Sequence, residues 1–338
     1  MNELKYKFDY KDVSLVPEVM TDINTRTLVN PYFEKGTKLP IMTAPMDTVV
    51  NNSNIDKFLD QRIQVCLPRN KKNPRIDGVF RSIGLDEAKI ISQIDYKDDH
   101  NCYCIDVANG HMSVILDIVR AFKKNHPHVK LIVGNIANPE TYRVFAQEDV
   151  WGVRCGIGGG SGCLTSSNTA VYYPYGSLIG ECYQIKRDGY FKTKIIADGG
   201  IRGYNDIITA LALGADIVMI GSLFNRMIQS CTKAYAWKLI PLSNSMIRPL
   251  LKAGIPVYKK FRGMSTKAVQ KQWGRKKLKT AEGITRWNKV EYDLEKWTEN
   301  FIDYLRSSMS YTGSYDLGQF KDCLKVLNTQ NAINRHNV

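Results

Sequence analysis

The run Gly156-Ile157-Gly158-Gly159-Gly160-Ser161-Gly162-Cys163-Leu164-Thr165 places five glycines within seven positions and ends on a thiol and, two residues later, a hydroxyl. Glycines carry no Cβ, so the amides and carbonyls of such a loop can approach a ligand closely. Cys163 at its end reads as a nucleophile, and Thr165 as a neighbour that handles a proton or positions a water. A second device follows in Ala197-Asp198-Gly199-Gly200 and Ile220-Gly221-Ser222, where glycine amides precede the start of a helix. Such places bind phosphate. Asp198 is then one sugar away from the phosphate and placed to accept from ribose hydroxyls; its other reading is a cap on the next helix.

The elements that would position these groups alternate. β-rich runs at 39–46, 64–68, 79–85, 101–108, 129–135, 150–156, 194–200 and 217–222 are separated by helical patterns such as 112–125 and 204–213. In the first of these, Val114, Ile115, Ile118, Val119 and Phe122 share one face. Alternating strands and helices make a parallel sheet, and eight of them close into an α/β fold, a (β/α)8 TIM barrel. An open doubly wound sheet would want a glycine-rich turn after its first strand, and there is none. Glycines and polar residues instead follow most strands, the end at which barrels build active sites, and the loops after strands seven and eight form their recurrent phosphate site.

The 338 residues suit one barrel domain with a few additions. These are an N-terminal arm (about 1–38) across the barrel bottom, an insertion at about 226–258, a flap at about 266–290, and a C-terminal helical segment in which Leu294, Trp297, Phe301 and Leu305 share a face. Net charge is +14, which suits phosphorylated substrates as well as nucleic acid or an anionic membrane. The basic runs lack interleaved aromatics for stacking bases, so no nucleic-acid partner is expected. Eight cysteines without paired CxxC motifs, a polar start and no long apolar run point to a reducing cytoplasm and no membrane span. Cys102 and Cys104 alternate along a strand and are expected to pack in the barrel wall. His126 and His128 flank Pro127 in what reads as an exposed turn.

With these residues in view, the chain resembles the IMP dehydrogenase and GMP reductase family over nearly its whole length. The segments that carry the resemblance are Phe8-Asp9-Tyr10-Lys11-Asp12-Val13-Ser14-Leu15-Val16-Pro17, Ala44-Pro45-Met46-Asp47-Thr48-Val49, Asp106-Val107-Ala108-Asn109-Gly110-His111, the Cys163 loop, the stretch 196–201 and Phe261-Arg262-Gly263-Met264-Ser265. The resemblance implies that Cys163 attacks C2 of a purine nucleoside monophosphate beside a nicotinamide. Dehydrogenases then send hydride to NAD and hydrolyse the adduct; reductases expel ammonia from GMP and accept hydride from NADPH to give IMP. By residue match, Asp198, Gly199, Gly200, Gly221 and Ser222 hold ribose and phosphate. Ser161, Gly263, Met264, Ser265 and Lys279 complete the substrate site, with Met264 and Ser265 against the base. Arg69, Asp106, Asn109 and Gly156 lie on the cofactor side, and Thr165 and Glu282 handle protons. The resemblance further implies a homotetramer and a monovalent cation, potassium, on the main chain of Gly158, Gly160 and Cys163.

Two features favour the reductase branch. Between strands three and four there is no room for the regulatory nucleotide-binding modules of dehydrogenases, and no Arg-Tyr pair to activate water lies between Met264 and Glu282. Ala44-Pro45-Met46 reads more like the dehydrogenase wording, Lys279 stands where reductases often carry Arg, and the insertion replaces a usually acidic segment. A dehydrogenase is therefore the alternative, and a non-catalytic purine nucleotide-binding protein the second. His111 either faces the cofactor or serves a structural hydrogen bond.

Overall fold

The structure is a computed structural model and describes residues 5–33, 36–70, 72–93, 100–160, 162, 164–264, 266, 283–330 and 332. Eight parallel strands follow in order: β1 (Ile41–Thr43), β2 (Cys66–Leu67), β3 (Phe80–Ile83), β4 (Cys102–Asp106), β5 (Lys130–Ile136), β6 (Gly152–Cys155), β7 (Lys194–Asp198) and β8 (Ile217–Ile220). Each pairs with the next from β2 to β8, and β8 pairs with β1. A bridge between Met42 and Gln64 joins β1 to the start of β2 and completes the barrel.

All eight expected strands are present because their sequences satisfy two packing environments at once. Along β4, Cys102 and Cys104 point into the barrel, where they meet Met42, Cys66, Phe80, Ile132, Ile196 and Met219. Tyr103 and Ile105 face outward under the helices. The two cysteines thus fill the barrel's interior. Besides a short helical turn at Thr165–Thr169, the helices of the barrel are α1 (Ile55–Leu59), α2 (Leu85–Gln93), α3 (Ser113–Asn125), α4 (Pro139–Gln147), α5 (Tyr175–Asp188), α6 (Tyr204–Ala212) and α7 (Ser222–Asn225). Among the described residues the connection from β2 to β3 carries no helix. In α3 the apolar stripe read from the sequence is the buried one, through Ile115, Ile118, Val119 and Phe122. His126, just past its end, is buried, with its Nε2 2.9 Å from the Ile91 carbonyl, so the turn is anchored there.

The inserted segment forms its own small antiparallel layer. Strands β9 (Ala234–Ala236), β10 (Ile240–Leu242), β11 (Val257–Arg262) and β12 (Thr285–Lys289) align in the order β10-β9-β11-β12, with α8 (Asn244–Lys252) between β10 and β11. So β11 and β12 stand before and after residues 263–284 in the chain. The C-terminal α9 (Leu294–Tyr311) buries Leu294, Trp297, Phe301 and Leu305, and Trp297 stacks on Tyr204 of α6 with ring centroids 5.1 Å apart.

The arm departs from expectation. Only its end reaches the barrel bottom, where the Lys194 ammonium lies over both Phe33 and Trp151. Its beginning lies at the opposite end. There Tyr10 packs on Tyr175, and the amides of Phe8 and Ser177 bond the Ser177 hydroxyl and the Phe8 carbonyl. A pair of short strands, Val13–Leu15 with Lys325–Leu327, ties the arm to the far end of the chain.

Just before β8, buried Asp216 accepts from Lys186 at 2.6 Å, Lys321 at 2.5 Å and the Ile195 amide at 2.8 Å. Burial pushes its carboxyl up, and the two ammonium groups outweigh burial and hold it below the usual range. Its stabilisation is therefore complete above about pH 4 and is lost as pH falls through the depressed folded value. Asp216→Asn is expected to cost about 3–5 kcal/mol, and acid denaturation curves should show the variant's stability falling less between pH 4 and 2 than the parent's.

Candidate active site

Two glycine-bearing turns, at 156–160 after β6 and 199–200 after β7, meet over the Tyr175 ring. A Cβ at Gly156 would fall 2.1 Å from the Asp198 carbonyl oxygen and 2.4 Å from that ring, and one at Gly159 2.2 Å from it. The Tyr175 hydroxyl accepts from the Gly159 amide at 2.6 Å. The backbone of Tyr175 is itself held by Asp9 of the arm, whose carboxylate accepts its amide at 2.7 Å and the Tyr172 hydroxyl at 2.7–2.8 Å. The arm thus supports the floor of the glycine loop from outside the barrel.

Beside this floor lies a chain of charges. Arg154 on β6 is buried and donates to Asp106 at 2.7 Å and to Asp198 at 2.7 Å. Asp198 Oδ2 also accepts from Asn135 at 2.7 Å. Arg69 completes the row, with its Nε 3.3 Å from Asp106 Oδ2 and a further contact from Nη2 to the Asp106 carbonyl. Burial pushes the Asp106 carboxyl up, but Arg154 and Arg69 outweigh it and hold it below the usual range. Burial likewise works against the Arg154 charge, and its acidic neighbours, Asp198 foremost, raise it well above the ordinary guanidinium value. Two cations and two carboxylates balance to zero, so ionised groups can sit this deep.

These groups line one cleft of about 1770 Å³. Pockets for a single small ligand run about 300–1,000 Å³, so there is room for two molecules side by side. One side is bounded by Asp198, Gly199, Gly200, Gly221 and Ser222, the expected ribose and phosphate corner. The other carries Arg69, Asp106 and Asn109, the expected cofactor side, and continues past Met112, Lys72 and Gly84. Gly156, Gly158, Gly160 and Thr165 lie on the same cleft, as do Gly263 and Met264. Ser161, Cys163, Ser265, Lys279 and Glu282 lie outside the described residues.

The chain on either side of Cys163 is nevertheless well placed. Gly162 accepts at its carbonyl from the Ile284 amide at 3.0 Å, and the Gly263 amide donates to the Ile284 carbonyl at 3.0 Å. A Cβ on Gly263 would meet the Gly162 oxygen at 2.2 Å, so the backbones touch. The glycine loop is therefore joined directly to Gly263 and Ile284. Arg262 adds a paired contact to Asp47 in the turn after β1.

The family model for the IMP dehydrogenase / GMP reductase domain matches residues 83–337. The chain belongs to this family. Among its relatives are GMP reductases of Pediococcus pentosaceus, 28% identical over 92% of this chain and 93% of that protein, and of Helicobacter pylori, 28% identical over 92% of each. The GMP reductase of Ligilactobacillus salivarius is 30% identical over 64% of this chain and 70% of its own length. Membership places the chain in a family of oxidoreductases acting on purine nucleotides, as the motifs implied.

Several site residues escaped the sequence reading. Arg154 is the clearest, and a signal existed: in the phase that puts Val153 and Cys155 outward, Arg154 points into the barrel, and a buried guanidinium demands carboxylates nearby. Asn135 and Tyr175 carried no comparable signal, because their partners, the Gly156 carbonyl and Asp198 for the one and the Gly159 amide and Asp9 for the other, are distant in sequence. His111 takes the structural role: its Nε2 accepts from the Ala137 amide at 3.0 Å, so Nδ1 carries the proton and donates to Thr141 Oγ1 at 2.9 Å. Among the described residues no helix is long and apolar enough to cross a membrane.

Proposed function

We propose that the chain is a GMP reductase, converting GMP, NADPH and two protons to IMP, NADP and ammonium through a covalent adduct on Cys163. The observation that supports this reading is that Asp198, Gly200 and Gly221, assigned to ribose and phosphate, line the same cleft as Asp106 and Asn109, assigned to the cofactor, together with Gly156, Gly158 and Gly162 of the glycine loop. Glycine amides and the start of α7 receive the 5′-phosphate, and Asp198 Oδ1 accepts from the ribose. That anchoring sets purine C2 over the loop end, where the Cys163 sulfur forms its bond. Thr165 and Glu282 deliver the proton with which the amine departs as ammonia. The nicotinamide, when bound, supplies the hydride that reduces C2 as the sulfur leaves.

Room and chemistry for that cofactor fit the side lined by Met112, Gly84, Arg69 and Lys72, which offers an apolar floor and cations for phosphates. Reduction rather than hydrolysis follows from the sequence between Met264 and Glu282, which holds no Arg-Tyr pair to activate water. A cytoplasmic homotetramer belongs to the same reading, as does potassium on the main chain of Gly158, Gly160 and Cys163. The Gly158 carbonyl accepts from Ser166 at 2.9 Å and keeps a second lone pair for such an ion.

Binding tests the substrate class without turnover. IMP and GMP should raise the melting temperature, the tighter binder more at equal concentration. Asp198→Asn should weaken both by about ten- to a hundredfold, the worth of about 1.5–3 kcal/mol in hydrogen bonds to a charged group. Unchanged affinity would remove Asp198 from the ribose site.

A further inference from the structure

We propose that Arg154 is a positioning residue that bridges Asp106 and Asp198 into a charge-balanced row, so that nucleotide binding needs no proton exchange. The proposal rests on the purine nucleotide reading and goes beyond it, because Arg154 acts through the two carboxylates. Its geometry is specific. Nη1 reaches Asp106 Oδ1 at 2.7 Å, while Nε and Nη2 reach Asp198 Oδ2 at 3.2 and 2.7 Å. With Asn135 also donating to it, Oδ2 is fully engaged, and Oδ1 is the oxygen of Asp198 left for the ribose.

The charged and titratable groups facing Arg154 come from four places. They are Cys66 on β2, Cys104 and Asp106 on β4, Asp198 on β7, and Arg69 beyond Asp106. Cys104 Sγ lies 3.8 Å from Nη1. Removing the Arg154 charge takes the row from neutral to one net negative charge inside a buried site. Two carboxylates left with one cation, Arg69 beyond Asp106, hold a shared proton more tightly. Both thiols then face more negative charge and stay neutral. The row must shed that proton before the nucleotide seats, so binding becomes linked to pH.

Calorimetric titration with IMP across pH 6.5–8.5, in buffers of different ionisation enthalpy, reads this directly. The parent should bind with a flat profile once the nucleotide phosphate is fully ionised and release no proton. Arg154→Met should bind at least about tenfold more weakly at pH 6.5, release protons on binding and recover affinity as pH rises. Arg154→Lys keeps the charge between the carboxylates and should restore the flat profile. Arg69→Met, at a side chain one-fifth exposed, should show the same pH trend more weakly and serves if Arg154→Met does not fold. A profile parallel to the parent's in Arg154→Met, or in Arg69→Met where the former is insoluble, overturns the proposal, as does Arg154→Lys behaving like Arg154→Met. A parent that binds no IMP overturns this proposal and the functional reading together; a parent that binds IMP with variants that track it overturns this proposal alone.

Discussion

Cys163→Ala is expected to reduce turnover by at least about a thousandfold, as removal of a covalent nucleophile does, while leaving IMP affinity within about tenfold. The separation follows from how the site is built. In the proposed reading ribose and phosphate fall to Asp198, Gly200, Gly221 and Ser222 on β7, β8 and their loops, whereas Cys163 follows β6 in the chain. Binding energy and bond formation therefore rest on different strands. Steady-state rates with GMP and NADPH, set beside calorimetry with IMP, test both halves. Turnover near the parent rate would remove Cys163 from the chemistry.

The second large effect is structural and begins at Gly156. Its φ of 140° is one that residues with a Cβ rarely adopt, and the added carbon would overlap the Asp198 carbonyl and the Tyr175 ring. Neither neighbour can withdraw. Asp198 is fixed by Arg154 and Asn135, and Tyr175 by Asp9 and Gly159. Gly156→Ala should therefore cost more than about 4 kcal/mol or separate β6 from β7 at the cleft. Either way nucleotide binding is lost. Thermal melting with and without IMP checks it, and a variant that melts and binds like the parent would contradict the packing described here.

How much of this was legible beforehand depended on where each signal resides. The eight strands were readable because burial on both faces demands local runs of Val, Ile, Cys and Ala, as in β4 and β7, and because a turn follows each run. The glycine turns on the cleft were readable too, since Gly199, Gly200 and Gly221 advertise close backbone approach. The arm's path was not. What fixes it is a contact between Asp9 and the Tyr175 amide, 166 residues apart, which no periodicity records. The same holds for the joining of Gly162 to Ile284, a pure main-chain contact with no side-chain signature. Arg154 lies between these cases: its phase on β6 was visible, but its carboxylate partners on β4 and β7 became evident only once the strands were assembled.

The central claim is a reaction, and one spectrophotometric comparison decides it. Absorbance of the reduced nicotinamide is followed in two mixtures, the protein with GMP and NADPH, and the protein with IMP and NAD. The account predicts consumption of NADPH with release of IMP and ammonia in the first and little NADH formation in the second, because no Arg-Tyr pair is present in 264–282 to activate the water that would release an oxidised adduct. Efficient formation of XMP from IMP and NAD, with no NADPH consumed on GMP, would contradict it.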